Sequence, residues 1–186
     1  MLGVSAGIAG LGTLAKSAID TASQISDMAT HLRMGTDELQ VLQSLARDAG
    51  TDFSKLEMAL NNLNLRTVEA CDGNTNYREA FERLGIDLKN FTTLSTEKKL
   101  ERLAKSYKDS EESVTALNDV STLLGQKAGS QLLEVLDRLA TDGMEKLSES
   151  AKQAGNVMDV ETVAALDRAG DEIGRWQNRI IVWFGN

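Results

Sequence analysis

The chain has 186 residues, of which 26% are charged and 41% hydrophobic, and its formal net charge is −8. This length suits one domain with an apolar core or an elongated helical array. Nonspecific nucleic-acid binding relies on lysine and arginine, so the acidic balance disfavours it. Proline is absent and aromatic residues make up only 4%. Glycine is therefore the main helix terminator, and we expect an all-α protein with an aliphatic core.

The first predicted helix runs from about Val4 to Arg33 and is rich in small residues. Their spacing would let another helix approach closely. Lys16 interrupts the apolar stretch before it reaches the roughly 20 residues of a membrane span, and no basic segment precedes it, so we expect neither a signal peptide nor a transmembrane helix. Gly35 is predicted to end this helix as a left-handed cap. We treat residues 1–33 as an N-terminal helix and 34–186 as one helical domain.

The middle of the chain predicts short helices separated by glycine or polar joints. Thr36 is predicted to cap a helix that ends at Gly50, and Thr51-Asp52 to cap the next one. A helix from Tyr77 to Leu84 stops at Gly85, after which Ile86 and Leu88 alternate as in an extended connector. Further helices are predicted to begin at Ser95 and at residues 109–112, and the second of these ends at Gly125.

The last third predicts three more helices. A leucine-rich helix extends from about Gly129 to Thr141, and a shorter one from Met144 to Ala154 lies between Gly143 and Gly155. Asp159 is predicted to cap the final helix, whose apolar residues are close to heptad spacing. Those residues are Val163, Leu166, Ile173, Trp176, Ile180 and Trp183. In total we expect a multi-helix array or bundle of about eight or nine helices.

Single cysteine and histidine residues limit the chemistry that the sequence can support. Cys71 alone excludes an intramolecular disulfide, and His31 alone excludes a zinc site with two histidines. The stretch GLGTLAKS at 10–17 resembles a phosphate-binding loop only superficially, because Ala15 stands where a glycine must precede the lysine. We read it as a helix with small residues.

The neighbouring carboxylates of the sequence do not form a predicted catalytic pair. Glu111-Glu112 and Asp171-Glu172 are adjacent in sequence, and adjacent residues of a helix point to different faces. The six methionines are scattered gap-fillers rather than a stripe. The sequence thus predicts no catalytic, cofactor-binding or metal-binding residue, and we do not expect an enzyme.

The order of leucine–glycine joints resembles the helical domain of phage and prophage tail tape measure proteins. The runs that carry the resemblance are EAFERLGIDL, STEKKLERLA and STLLGQKAGSQLLEVLDRLATDGMEKLSESAKQAGNVMD. The matching positions are Phe81, Leu84, Gly85, Ile86, Leu124, Gly125, Lys127, Gly129, Leu132, Leu133, Leu136, Ala151 and Gly155. An upstream run matches at Gly35, Leu39, Leu42, Gly50, Leu56 and Leu60. The resemblance covers roughly residues 19–183 and carries no catalytic signature.

This resemblance implies a structural virion protein that determines tail length and takes part in DNA ejection. Its implied location is the lumen of the phage tail, and the host cytoplasm during assembly. The implied partners are the tail tube, tail tip and tail assembly chaperone proteins, with self-association and membrane contact conceivable for the full-length protein. No cofactor is implied. A fully helical chain of this length would span only about 280 Å, so we expect one segment of a larger tape measure or a truncated prophage copy.

Two other classes of function are compatible with the same residues. The small-residue N-terminus and the apolar run RIIVWF near the C-terminus are features of a helical secreted effector or translocator that acts on membranes. A cytoplasmic adaptor that binds partner helices is the other alternative.

Overall fold

A computed structural model describes residues 5–111, 113–126 and 131–184. These residues form nine helices and no β-strand, which confirms the all-α prediction. The helices are α1 (Ser5–Leu32), α2 (Thr36–Asp48), α3 (Phe53–Cys71), α4 (Thr75–Arg83), α5 (Leu88–Phe91), α6 (Thr96–Asp109), α7 (Val114–Leu124), α8 (Leu133–Gln153) and α9 (Val160–Phe184).

The helices divide into two compact units. The terminal helices α1 and α9 belong to the first unit, and residues 32–157 form the second. This division differs from the predicted boundary after residue 33, because α9 groups with α1 and not with the helices that precede it. Gly170 of α9 lies directly against α1, where an added Cβ would be 2.7 Å from Ile19 Cγ2 and 3.4 Å from Ser23 Oγ. A glycine thus permits the close approach of these two helices.

The second unit is assembled around α3, which contacts α2, α4, α5, α6 and α7, while α8 packs along α6 and α2. Leucines three and four residues apart give these helices an apolar face, and that face supplies the core. Large and fully buried side chains of the core include Leu32, Leu39, Leu42, Leu56, Leu60, Leu63, Phe81, Phe91, Leu100, Leu103, Leu123 and Leu124.

Short polar side chains begin several helices of the second unit. The Asp52 carboxylate accepts a hydrogen bond from the Ser54 backbone N–H at 2.9 Å, as the predicted cap of α3 would. The Asp87 carboxylate accepts one from the Lys89 N–H at 3.1 Å. Asp87 thereby starts the single-turn helix α5, which replaces the extended connector predicted around Leu88. Ile86 is nevertheless buried, as that prediction required.

The predicted left-handed conformation of Gly35 is wrong. Gly35 has φ −73° and ψ 156° and precedes the first residue of α2, so that it occupies the capping position predicted for Thr36. The positive φ at the end of α1 belongs to Arg33, with a value of 55°. An added Cβ at Gly35 would lie 2.0 Å from Glu38 Oε2. A larger residue at this position would require the end of the Glu38 side chain to shift.

The boundary between α6 and α7 also differs from the prediction. Residues 109–112 were expected to begin a helix, but α6 extends to Asp109 and α7 begins at Val114. Ser113 caps α7 by accepting a hydrogen bond from the Ala116 N–H at 3.2 Å. Glu111 adopts φ 56° between the two helices.

Gly125, at the end of α7, gives the first testable prediction. Its φ is 108° and its ψ is 138°, which is a positive-φ conformation outside the left-handed helical cap that was predicted. Side chains are strongly disfavoured in this region, and a β-branched one most of all. We expect Gly125→Val to lower the free energy of unfolding by about 1–3 kcal/mol, measured by urea titration with far-UV circular dichroism.

The matched control for this substitution is Gly174→Ala in α9. Among the residues that the structure describes, none would lie within 4 Å of a Cβ at Gly174, and the backbone is helical there. This substitution should leave stability unchanged or raise it by up to about 1 kcal/mol. Equal unfolding midpoints for Gly125→Val and the unsubstituted chain would show that the conformation of Gly125 is not required.

Candidate functional site: two glycine joints

The first joint follows α7 and is held by two side chains of α3. Asn62 Nδ2 donates a hydrogen bond to the Leu124 carbonyl at 2.9 Å. Arg66 Nη1 donates another to the Thr122 carbonyl. The last carbonyls of a helix have no partner within the helix, and a positive charge near them is favourable. Sequence reasoning missed both contacts, because the partners are about 60 residues apart and share no local signal.

The residues that carry the family resemblance are part of the core of the second unit. Phe81, Leu84, Ile86, Leu124, Leu132 and Leu136 are buried, and Leu133 is half-buried. The rings of Phe81 and Phe91 lie 5.1 Å apart with an interplanar angle of 55°, a favourable tilted arrangement. Three further predicted joints, Gly50, Gly85 and Gly155, have φ values of 66°, 65° and 71°. Lys127 and Gly129 lie outside the described residues.

An ion pair between the partly exposed Arg83 and the buried Asp119 connects α4 to α7 near the first joint. Arg83 Nε and Nη2 donate to the Asp119 carboxylate at 3.0 Å and 2.7 Å. Asp119 is only 1% exposed, and this two-pronged geometry is the strongest form of such a pair. Hydrogen bonding to Asp119 raises the pKa of Arg83 above its ordinary value. The Arg83 guanidinium is therefore positively charged and compensates the buried carboxylate.

The second joint is Gly143, which interrupts α8 with φ 72° and ψ 162°. The sequence predicted two helices on either side of this residue, and the two segments of α8 meet here at a kink. A cavity of about 490 Å³ opens beside the kink, with walls from α2, α6 and α8. It is lined by Glu38, Glu97, Lys98, Glu101, Lys105, Asp142, Gly143, Met144 and Glu145. We call it the acidic cavity, because five of these residues are acidic and two are basic.

Glu97 is the most buried charged residue of the acidic cavity, with 8% of its surface exposed. Ser95 Oγ donates a hydrogen bond to Glu97 Oε1. Within the part of the chain that the structure describes, no group makes a hydrogen bond with Glu97 Oε2. A buried carboxylate oxygen without a partner is costly. This oxygen has almost no accessible surface, so protein atoms enclose it.

Glu38 and its neighbour Asp37 titrate unequally at the edge of the acidic cavity. A hydrogen bond between the two side chains raises the pKa of Glu38, and burial together with the charges of Asp37 and Glu97 acts in the same direction. The same hydrogen bond lowers the pKa of Asp37, as does Lys152, whose Nζ lies 3.2 Å from Asp37 Oδ2.

These shifts predict a pH-dependent effect of Glu38→Gln. A carboxyl group whose pKa is raised by folding destabilises the folded state when it ionises, so its penalty is present above the folded pKa and absent below the unfolded one. Glutamine resembles the protonated acid, and we therefore expect Glu38→Gln to raise stability at pH 7 and to lose this advantage near pH 4. Urea unfolding at both pH values tests this, with Glu149→Gln as the control on α8. A gain from Glu38→Gln that is as large at pH 4 as at pH 7 would contradict it.

The residues considered for chemistry in the sequence do not converge in the structure. Cys71 ends α3 and is exposed, and His31 lies exposed in the last turn of α1. Asp171 and Glu172 are exposed, as is Glu111, whereas Glu112 falls outside the described residues. Over the described ranges, no group of three or more histidine, cysteine or acidic residues has an arrangement that could hold a metal ion. None of the described helices is long and apolar enough to cross a bilayer.

Comparison with known proteins identifies no relative. No protein-family model matches the sequence, and neither a curated protein nor a solved structure matches it.

Proposed function

We propose that this chain is a structural segment of a phage or prophage tail tape measure protein. In this role it would template assembly of the tail tube, contribute to tail length and take part in DNA ejection. Its partners would be the tail tube, the tail tip and the tail assembly chaperones. The protein would act through packing and assembly and would catalyse no reaction.

The observation that carries this proposal is the position of the residues on which the resemblance rests. Phe81, Leu84 and Ile86 flank Gly85 in the sequence, and Leu124, Leu132 and Leu136 flank Gly125. All six are buried in the same unit. Their burial supports the proposal, since a domain recognised by its leucine and glycine spacing must pack those leucines in its core.

The long terminal helices also suit an elongated assembly protein. α1 has 28 residues and α9 has 25, so that α1 alone spans about 42 Å. Both belong to one unit, and residues 32–157 form a separate unit between them in sequence.

Deletion in the native genome tests the proposal. An in-frame deletion of residues 32–157 should give particles without tails or with tails of altered length, seen by negative-stain electron microscopy. If the deleted segment were a straight helix, tails would shorten by about 190 Å, and a folded unit should shorten them by less. Tails of normal number and length would overturn the proposal. Neighbouring genes for tail tube and tail tip proteins would support it independently.

The adaptor alternative is favoured by one surface of α3. Met58, Leu65 and Val68 are 61%, 57% and 56% exposed, and their spacing places them on one face of the helix. Such a face is typical of helix-in-groove recognition. Genes for signalling proteins beside this one, together with normal tails in the deletion strain, would favour the adaptor. A membrane-active effector would instead be indicated by strong insertion of this chain alone into liposomes.

A further inference from the structure

We propose that the exposed face of α3 pairs in an antiparallel orientation with the same face of a second copy of this chain. The inference does not depend on the proposed function, because it rests only on residues of the second unit. Three observations lead to it: the heptad spacing of the exposed face, the order of the charges beside it, and two cations at one flank that form no ion pair with a described carboxylate.

The exposed face of α3 consists of Met58, Asn61, Leu65 and Val68. These residues are separated by three, four and three positions, which is the spacing of positions a, d, a and d in a heptad repeat. The three apolar side chains are more than half exposed, and Asn61 is half-buried. A second helix with the same spacing would cover this face with interdigitated side chains.

The charges along one flank of this face favour an antiparallel second copy. Lys55, Asn62 and Glu69 are seven residues apart and share position e of the heptads. In an antiparallel pair of identical helices, the e positions of the two copies face one another, and charges at these positions set the orientation. With Asn62 at the centre, Lys55 of each copy lies opposite Glu69 of the other. Within one copy, neither residue forms an ion pair with another described residue.

A parallel pair of α3 helices would not bring these charges together. In that orientation position e of one copy faces position g of the other, five residues earlier in the sequence. Lys55 would then face Gly50, and Glu69 would face Asn64. Neither Gly50 nor Asn64 carries a charge, so the charges select the antiparallel orientation.

The opposite flank of the face brings a carboxylate toward two cations. Glu57, Asn64 and Cys71 share position g, so an antiparallel pair places Glu57 opposite residue 71 of the second copy. Lys99 lies over this flank, where its Nζ donates a hydrogen bond to Asn64 Oδ1 at 3.3 Å. Burial and the charge of Arg33 lower the pKa of Lys99, and neither cation forms an ion pair with a described carboxylate. Glu57 of the second copy supplies the opposite charge.

The seam between the two copies is short. Met58 of one copy lies opposite Val68 of the other, and Asn61 opposite Leu65. A polar residue at a core position of such a seam specifies its register at a cost in stability. Because each copy contributes only four residues to the seam, we expect a reversible dimer with a dissociation constant in the micromolar range rather than a permanent one.

Sedimentation equilibrium of the full chain tests for the second copy. Leu65→Asp places a charge in the seam and should raise the dissociation constant of the dimer by about tenfold or more. Val114→Asp adds the same charge to α7 outside the exposed face of α3, at a position that is 86% exposed, and should leave the dissociation constant unchanged. A chain that stays monomeric at about 500 µM, or a dimer that responds equally to the two substitutions, would overturn the proposal.

Charge reversal tests the antiparallel orientation. Lys55→Glu and Glu69→Lys each replace two attractive pairs of the symmetric dimer with two repulsive ones, and each should raise the dissociation constant about tenfold. The double variant should dimerise like the unsubstituted chain, and so should an equimolar mixture of the two single variants, because opposite charges face one another again. Circular dichroism should show unchanged helix content in all variants. Single variants without effect, or a weakening that neither the double variant nor the mixture reverses, would contradict the antiparallel pair.

Discussion

Replacing Phe81 with alanine should lower the free energy of unfolding by about 3–5 kcal/mol. Phe81 is fully buried, and its ring packs 5.1 Å from the ring of Phe91. Truncation removes this contact and leaves a cavity that a close-packed core cannot fill. Urea unfolding by circular dichroism measures the loss. Hydrogen exchange should locate the loosened amides in residues 32–157.

Leu65→Ala is the control for the Phe81 substitution. It also truncates a large apolar side chain of the second unit, but Leu65 is 57% exposed. We expect a change of less than about 1 kcal/mol, as is usual for surface positions. Similar losses in both variants would show that the burial of Phe81 does not determine the stability of this unit.

Arg83→Met should destabilise the chain more than Asp119→Asn. The first substitution leaves the Asp119 carboxylate buried without its cation, which is the most damaging way to break such a pair. The second removes the buried charge and keeps a side chain of similar shape, at a cost of about 1–3 kcal/mol. Arg83 remains 44% exposed and can be solvated in that variant. Both stabilities are measured by urea unfolding at pH 7.

Glu79→Gln supplies the control on the same arginine. Glu79 Oε2 lies 3.4 Å from Arg83 Nη1, and its side chain is 61% exposed. Exposed ion pairs contribute little to stability, so this substitution should have almost no effect. If Arg83→Met and Glu79→Gln changed the free energy of unfolding equally, the contact of Arg83 with the buried Asp119 would not be the one that stabilises the fold.

These stability effects bear on the proposed assembly role. A tape measure protein must be stable enough to assemble and must also leave the tail during ejection, according to the resemblance. The second unit has an aliphatic core, and its buried Asp119 carboxylate is paired with Arg83. Variants at Phe81 and Arg83 leave the sequence of the acidic cavity and of the exposed face of α3 unchanged. A loss of tail assembly in these variants would therefore be caused by the loss of folding of this unit.

The periodicity of the sequence determined the helices themselves. Leucines at three- and four-residue spacing, together with the absence of proline, predict amphipathic helices because contacts between positions i and i+4 are local. The cap at Asp52 and the interruption at Gly143 were predicted for the same reason. Gly35 shows where a local rule fails. A glycine after a helix indicates a left-handed cap, yet the positive φ lies at Arg33 and the backbone of Gly35 is extended.

The tertiary structure alone decided which distant residues meet. α9 joins α1 in one unit, Asn62 and Arg66 hold the end of α7, and Arg83 pairs with Asp119. The acidic cavity likewise combines three helices that are far apart in sequence. The local sequence around a charged residue is the same whether its face of the helix meets solvent or another helix. The packing of the helices decides between these environments, and so decides where the protein offers a site.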